Sequence, residues 1–310
     1  MTKNYVGIDV CEKKLDIFIH PSKEYVQFNN TQQGIMQLYE YLKAFDIELI
    51  VLEATGKLEA LCADILMDLG YKVSVVNPAR VCYYRKSLGY KAKTDLIDAE
   101  VIARFAEALR PDASNPSSAT ERRLRELSAR RKQLVILRDS ERNRLRRVRD
   151  EYAKEDLQIN IAFLNERLHK IETIMVELIK QNKAKKEVFD ILQSIPGIGE
   201  IMALTLMSYL PELGQLNQKQ IASLAGVFPL NMESGSSKGH RKMCWSGRPK
   251  IRSTLYLATL VGIRHNSFIR SKFNDLVAKG KAKKVAMGAC MRKLIIIANS
   301  MIKEKRCWHD

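Results

Sequence analysis

Tyr5-Val6-Gly7-Ile8-Asp9-Val10 is the stretch on which the fold turns. Its aromatic and β-branched residues mark a buried strand, and Asp9 stands inside it. A carboxylate within an apolar strand is costly unless it is paired or holds a cation. Asp9 is therefore the residue that the surrounding chain has to explain.

Outward from it, Leu15-Asp16-Ile17-Phe18-Ile19 and Tyr25-Val26-Gln27-Phe28 follow as two further strands of a meander. Thr31 caps a helix with Ile35, Leu38, Leu42 and Phe45 on one stripe, and this leads into the apolar strand Leu49-Ile50-Val51-Leu52. That strand ends at Glu53-Ala54-Thr55-Gly56. Next come a helix carrying Leu58, Leu61, Ile65, Leu66 and Leu69, then the strand Val73-Ser74-Val75-Val76 closed by Asn77-Pro78, then a helical segment over residues 79–88. In Lys91-Ala92-Lys93-Thr94-Asp95-Leu96-Ile97-Asp98-Ala99-Glu100, Thr94 is the N-cap of a last helix. Ile97, Val101, Phe105 and Leu109 recur along it and Pro111 ends it. Asp95 and Asp98, three apart, share one face of that helix.

The order β-β-β-α-β-α-β-α, with one acid inside the first strand, another ending the fourth and two on the late helix, is the ribonuclease-H-like α/β pattern. In that topology the first and fourth strands are neighbours, so Asp9 and Glu53 emerge side by side where the late helix packs. Carboxylates crowded together need relief, because a unit pair at 4 Å repels by about 4 kcal/mol at an effective dielectric of 20. Hard oxygen ligands without His or Cys select Mg²⁺ or Mn²⁺. Two such ions suit an in-line phosphoryl displacement.

Charge points to the substrate. The chain has 52 Lys and Arg against 35 Asp and Glu, a formal net charge of +17. Residues 1–110 hold 14 basic and 15 acidic side chains, so the whole excess lies beyond them. A near-neutral domain joined to a strongly cationic remainder is the footprint of a protein that wraps a polyanion. Cys11, Cys62, Cys82, Cys244, Cys290 and Cys307 form no C-x-x-C motif and no Cys/His cluster, which argues against a zinc site or a disulfide framework. The N-terminus enters a strand pattern without a signal-peptide core, and no apolar run approaches the ~20 residues of a membrane span. The expectation is a reduced, cytosolic protein that joins the nucleoid when it acts.

Residues 111–120 have linker composition. Beyond them runs a long Arg-rich helix, then a segment in which Leu157, Ile161, Leu164, Leu168, Ile171, Met175 and Leu178 keep strict four-three alternation, a coiled-coil seam over a region bounded as 112–186. Pairing within one chain as a hairpin and pairing across a dimer both satisfy that seam. The last region, 187–310, opens with a helix, the turn Ile195-Pro196-Gly197-Ile198-Gly199 and an apolar helix, a helix-hairpin-helix-like arrangement. Gly197 and Gly199 there would let backbone N–H groups approach a phosphate. The Ser/Gly-rich stretch Glu233-Ser234-Gly235-Ser236-Ser237-Lys238-Gly239-His240-Arg241-Lys242 is small, flexible and basic, an exposed loop beside a polyanion. Lys238, Arg241 and Lys242 in this loop, with Arg248 beyond it, are candidate nucleic-acid contacts. A helix with Leu255, Leu257, Leu260 and Ile263 follows, then a helix from Val285 to Ile302, and Trp308 falls where a chain end frays.

Taken in order, Gly7-Ile8-Asp9, Glu53-Ala54-Thr55-Gly56, Asn77-Pro78, Lys93-Thr94-Asp95 with Asp98-Ala99, Ser194-Ile195-Pro196-Gly197-Ile198-Gly199, Ala225-Gly226 and Glu233-Ser234-Gly235-Ser236-Ser237 resemble the DEDD transposases of the IS-one-ten family of insertion sequences. The resemblance spans nearly the whole chain. It implies a RuvC-like N-terminal domain over residues 1–111, with Asp9, Glu53, Asp95 and Asp98 as a metal-binding quartet for Mg²⁺ or Mn²⁺. It further implies a dimerising coiled coil and a mainly α C-terminal transposase domain. Composition cannot choose among Ser234, Ser236 and Ser237; the resemblance implies Ser234 as the nucleophile that becomes covalently linked to DNA. The partners it implies are donor and target DNA, a structured guide (bridge) RNA encoded by the element, and a homodimer or higher homo-oligomer, with no membrane. Two other readings compete: a metal-dependent junction-resolving endonuclease in which water attacks, and a non-enzymatic architectural protein with a degenerate catalytic domain.

Overall fold

The computed structural model describes residues 3–90, 94–114, 118–230, 242–243 and 247–308. It forms two units, Met1–Ser118 and Ala119–Asp310.

The first unit is built on a five-stranded sheet. β1 (Asn4–Val10), β2 (Lys14–His20) and β3 (Glu24–Asn29) form the expected antiparallel meander. β4 (Ile47–Glu53) lies parallel to the other edge of β1, and β5 (Val73–Val76) lies parallel to β4, giving the order β3-β2-β1-β4-β5. The crossovers are α1 (Gln32–Leu42) and α2 (Ala60–Asp68). Thr31 caps α1 by accepting from Gly34 N–H, and Ile35, Leu38 and Leu42 are fully buried. On α2 the sequence stripe is partly misread: Leu58 and Leu61 are exposed, while Cys62, Ala63 and Leu66 face the sheet.

Strand alternation divides the sheet into two faces. Ile8, Leu15, Ile17, Ile50 and Leu52 pack with α1 and α2. Tyr5, Leu49, Val51 and Val76 pack on the opposite side with Val101, Ile102, Phe105 and Ala106 of α4 (Asp95–Leu109) and Val81 of α3 (Pro78–Ser87). Each fully buried Ile, Leu or Phe contributes roughly 1.5–3 kcal/mol relative to exposure. The helix crosses β1 at Gly7, where an added Cβ would lie 2.2 Å from Ala103 N and 2.3 Å from Ala99 O. Only a glycine on the strand and alanines on the helix allow that approach.

The second unit is helical. α5 (Ala119–Leu145) and α6 (Glu151–Lys180) form a hairpin within the chain, with Arg131 Nε donating to Glu172 Oε1 at 2.6 Å across it. Of the seven periodic residues of α6, Leu164, Leu168, Ile171, Met175 and Leu178 are buried, whereas Leu157 and Ile161 nearer its start are only half-buried. They share one core with α7 (Lys183–Ser194), α8 (Glu200–Tyr209), α9 (Gln218–Leu224), α10 (Pro249–His265), α11 (Ser267–Ala278) and α12 (Lys283–Glu304). A short antiparallel ribbon, β6 (Pro229–Leu230) with β7 (Lys242–Met243), lies between α9 and α10 in the chain.

Three details depart from the sequence reading. On α10 the buried residues are Ile251, Leu255, Ala258, Thr259 and Gly262, whereas Leu257 and Leu260 are exposed. α12 is long and apolar enough to cross a membrane by length and composition alone, yet Leu294, Ile295, Ala298 and Met301 are buried within the helical core. Trp308 is not frayed: its backbone N–H donates to Ser194 Oγ at 2.8 Å, and its side chain packs against that core.

Candidate active site

Asp9 lies at one end of the α4 face of the sheet within the field of Asp95 and Asp98, and Glu53 ends the neighbouring strand. Asp9 follows Ile8 on β1, and Glu53 follows Leu52, the residue paired with Ile8 on β4. Both alternate with residues that pack with α1 and α2, Ile8 and Leu52, so the pleat turns both toward α4 on the opposite face. The β4 exit is fixed locally: Ala54 N–H donates to Val76 O, and Glu59 Oε2 accepts from Thr55 N–H and Lys57 N–H. Gly56 occupies a left-handed conformation in this turn, at φ +74°.

Asp95 and Asp98 arrive on the first turn of α4. Thr94 Oγ1 accepts from Ile97 N–H, as an N-cap does. Asp95 is 52% exposed at the rim, while Asp98 is 17% exposed and lies deeper. Burial pushes the Asp9 carboxyl above its ordinary range, and the charges of Asp98, Asp16 and Asp95 push it further in the same direction. That field records the convergence of Asp9 with both helix acids. Each helix acid also has a cation: Arg85 of α3 donates to Asp98 Oδ1 at 2.6 Å, and Lys14 donates to Asp95 Oδ2 at 2.6 Å.

A fifth acid belongs to this cluster and was missed in the sequence. Asp16 of β2 is paired directly with Asp9 and is completely buried. Its Oδ1 accepts from the Tyr25 hydroxyl at 2.6 Å and from the Gln27 amide. The signal was present, since Asp16 interrupts an apolar strand just as Asp9 does. Cys11 joins them: its Sγ and one carboxylate oxygen each from Asp9 and Asp16 lie within 4.8 Å of one another. Burial raises the Cys11 thiol, and the Asp9 charge adds to that.

Hard anionic oxygens gathered around an Asp9 whose proton affinity its acidic neighbours raise suit divalent cations. Residues 6–153 match a transposase family model of the DEDD type, and residues 189–274 match the transposase model of the IS116/IS110/IS902 family. The pilin gene-inverting protein of Moraxella bovis is 30% identical over 326 residues, covering 99% of this chain and 98% of that protein. The chain belongs to the IS110 family of transposases. A second pilin gene-inverting protein, from Moraxella lacunata, is 29% identical over 99% of this chain and 98% of its own length. This transposase is thus an enzyme of DNA transposition and recombination.

The other residues singled out in the transposase sequence are placed as follows. Ser234, Lys238 and Arg241 lie outside the described residues, and Lys242 is described only as a backbone position of β7 paired with Leu230. Gly197 has φ +105° and lies against α10, where an added Cβ would come 2.8 Å from Gly262 Cα. Gly199 caps α8 and opens to solvent, with nothing within 4 Å of an added Cβ. Arg248 is held in a fork, its two terminal nitrogens donating to the two oxygens of Glu212 at 2.6 Å each. A phosphate at Arg248 would compete with that carboxylate.

Proposed function

We propose that this transposase cuts and exchanges DNA strands by metal-assisted transesterification through a covalent phosphoserine intermediate, directed by a guide RNA encoded by its element. The observation that carries the reading is the approach of Asp9 on β1 to Asp95 and Asp98 on the first turn of α4, felt in the raised carboxyl of Asp9, in a region that matches a DEDD transposase model. The strand order with its antiparallel meander and parallel fourth and fifth strands supports a ribonuclease-H-like, RuvC-like N-terminal domain.

Asp9, Glu53, Asp95 and Asp98 would hold Mg²⁺ or Mn²⁺. Bound there, such a cation would supply positive charge to offset the negative charge that develops in an in-line displacement at phosphorus. Half-buried Asp9 and Asp98 would sit deeper against the sheet, and Asp95 at the rim would face the incoming phosphodiester. Ser234 supplies the nucleophile. Its Oγ forms a bond to phosphorus as the bond to the leaving deoxyribose oxygen breaks, and the hydroxyl proton ends on that oxygen. One phosphodiester replaces another, so bond energy is conserved for rejoining. The hairpin of α5 and α6 serves as the dimerising arm, and the basic second unit holds DNA and RNA.

Incubation of the purified protein and its copurifying RNA with a plasmid carrying its own insertion sequence, in Mg²⁺, tests the reading on denaturing gels. A protein-linked strand that Ser234→Ala and Asp9→Asn both abolish is the expected result. Free 5′-phosphate ends at full yield in Ser234→Ala would instead make water the nucleophile.

A further inference from the structure

Lys14 and Asp16 are two apart on β2, so the pleat sets both on the α4 face of the sheet. Asp16 is buried and fixed from behind, with Oδ1 taken by Tyr25 and Gln27. Its Oδ2 accepts no hydrogen bond among the described residues and lies 3.3 Å from Lys14 Nζ, an ion-pair separation. A buried carboxylate requires such a cation. The same ammonium donates to Asp95 Oδ2 at 2.6 Å, so Lys14 bridges the sheet to the first turn of α4. Asp95 Oδ2 cannot serve both this ammonium and a divalent cation in full. When Asp95 turns to a cation, Asp16 still holds Lys14 at the rim. Lysine carries three N–H donors, so an ammonium held by Asp16 keeps donors for a non-bridging phosphate oxygen.

We propose that Lys14 is the exchangeable counter-cation of the acid cluster and a phosphate-contacting residue of the strand-cleavage site, and that Asp16 is the positioning residue that keeps its ammonium there. The inference rests on the reading of Asp9, Glu53, Asp95 and Asp98 as metal ligands. It assigns Lys14 two effects of opposite sign, competition with the metal and assistance to the phosphate, which a merely structural lysine does not have.

The test compares wild type, Lys14→Gln, Lys14→Arg, Asp9→Asn and the pair Lys14→Gln with Asp16→Asn. Mn²⁺ affinity is measured by electron paramagnetic resonance of the free ion. Cleavage of a plasmid carrying the insertion sequence is measured at saturating Mn²⁺. Lys14→Gln binds Mn²⁺ roughly two- to fivefold more tightly, as loss of a rim ion pair implies. It cleaves about tenfold more slowly, as loss of one charge-assisted contact to the reacting phosphate implies. Lys14→Arg restores both toward wild type, and adding Asp16→Asn to Lys14→Gln costs no further cleavage. Unchanged or weaker Mn²⁺ binding in Lys14→Gln overturns the counter-cation role, and unchanged cleavage overturns the phosphate contact. A further loss in the double variant overturns the positioning role of Asp16. Equal Mn²⁺ binding by wild type and Asp9→Asn would instead defeat the underlying metal-site reading.

Discussion

Asp9 and Asp16 face each other across β1 and β2, a cross-strand pair of carboxylates on the side of the sheet covered by α4. Like charges directly opposite on a sheet destabilise it. The pair therefore costs stability, and the fold surrounds it with compensation: Tyr25 and Gln27 behind Asp16, Lys14 beside it.

Removing one charge should expose that conflict. Asp9→Asn is expected to raise unfolding stability in EDTA by about 0.2–1 kcal/mol while abolishing strand cleavage. Urea titrations in chelator, run beside the plasmid assay, check both halves. A variant that is less stable in EDTA than wild type would contradict the electrostatic account.

The contact at Gly7 sets how closely the helix acids approach Asp9. Gly7→Ala places a Cβ 2.2 Å from Ala103 N, a backbone atom that cannot turn aside. The helix must lift or the strand must bend, at a cost of about 1–3 kcal/mol. Thermal unfolding should show the loss, and Mn²⁺ affinity should fall with it because Asp95 and Asp98 ride on the displaced helix. Ala103→Gly in the Gly7→Ala background would not rescue, since the clash is with backbone.

The fork between Glu212 and Arg248 gives the helical unit an acid-sensitive tie. Burial opposes ionisation of Glu212, but its hydrogen bonds to Arg248 and the guanidinium charge outweigh that and hold its carboxyl below the ordinary 4.5. A depressed carboxylate contributes stability that is present above pH 4.5 and lost as pH falls through the depressed value. Glu212→Gln should cost about 1–2 kcal/mol at neutral pH, discounted for partial exposure. It should also flatten the decline in stability below pH 4.5, measured by urea unfolding across pH.

The C-terminus is part of the second core. Truncation before Cys307 removes Trp308, with its backbone bond to Ser194 at the turn between α7 and α8. The truncated protein should unfold about 1–3 kcal/mol earlier, whereas Trp308→Phe, which keeps the backbone N–H and most of the apolar surface, should lose less. Equal stability of truncated and full-length chains by thermal unfolding would return Trp308 to the status of a frayed end.

Much of this was legible in the sequence because it rests on period and punctuation. The meander, the parallel strands and α4 with its Thr94 cap follow from alternation, 3.6-residue stripes and a capping residue, and Asp9 declared itself by its cost. What escaped depended on partners distant in the chain. Gly7 was taken for part of an apolar run, although a mid-strand glycine signals close backbone approach. Its complement, Ala99 and Ala103, is too small to register as an apolar stripe. Asp16 interrupts an apolar strand as Asp9 does, but its partners Tyr25 and Gln27 lie on another strand. Lys14 and Arg85 reach the helix acids from other elements, which no spacing rule reports. Leu257 and Leu260 lie on the exposed side of α10 because its small residues, Ala258 and Gly262, face the core instead.

The central claim is that acids from the first unit and a serine from the second act in one reaction. Its most direct measurement is the covalent adduct: labelled plasmid carrying the insertion sequence, Mg²⁺, copurifying RNA, and a denaturing gel resolved before and after protease. The account predicts a protease-sensitive, protein-linked strand from wild type that is absent from both Asp9→Asn and Ser234→Ala. An adduct that persists in Ser234→Ala, or cleavage by that variant at the wild-type rate to free 5′-phosphate ends, would contradict it.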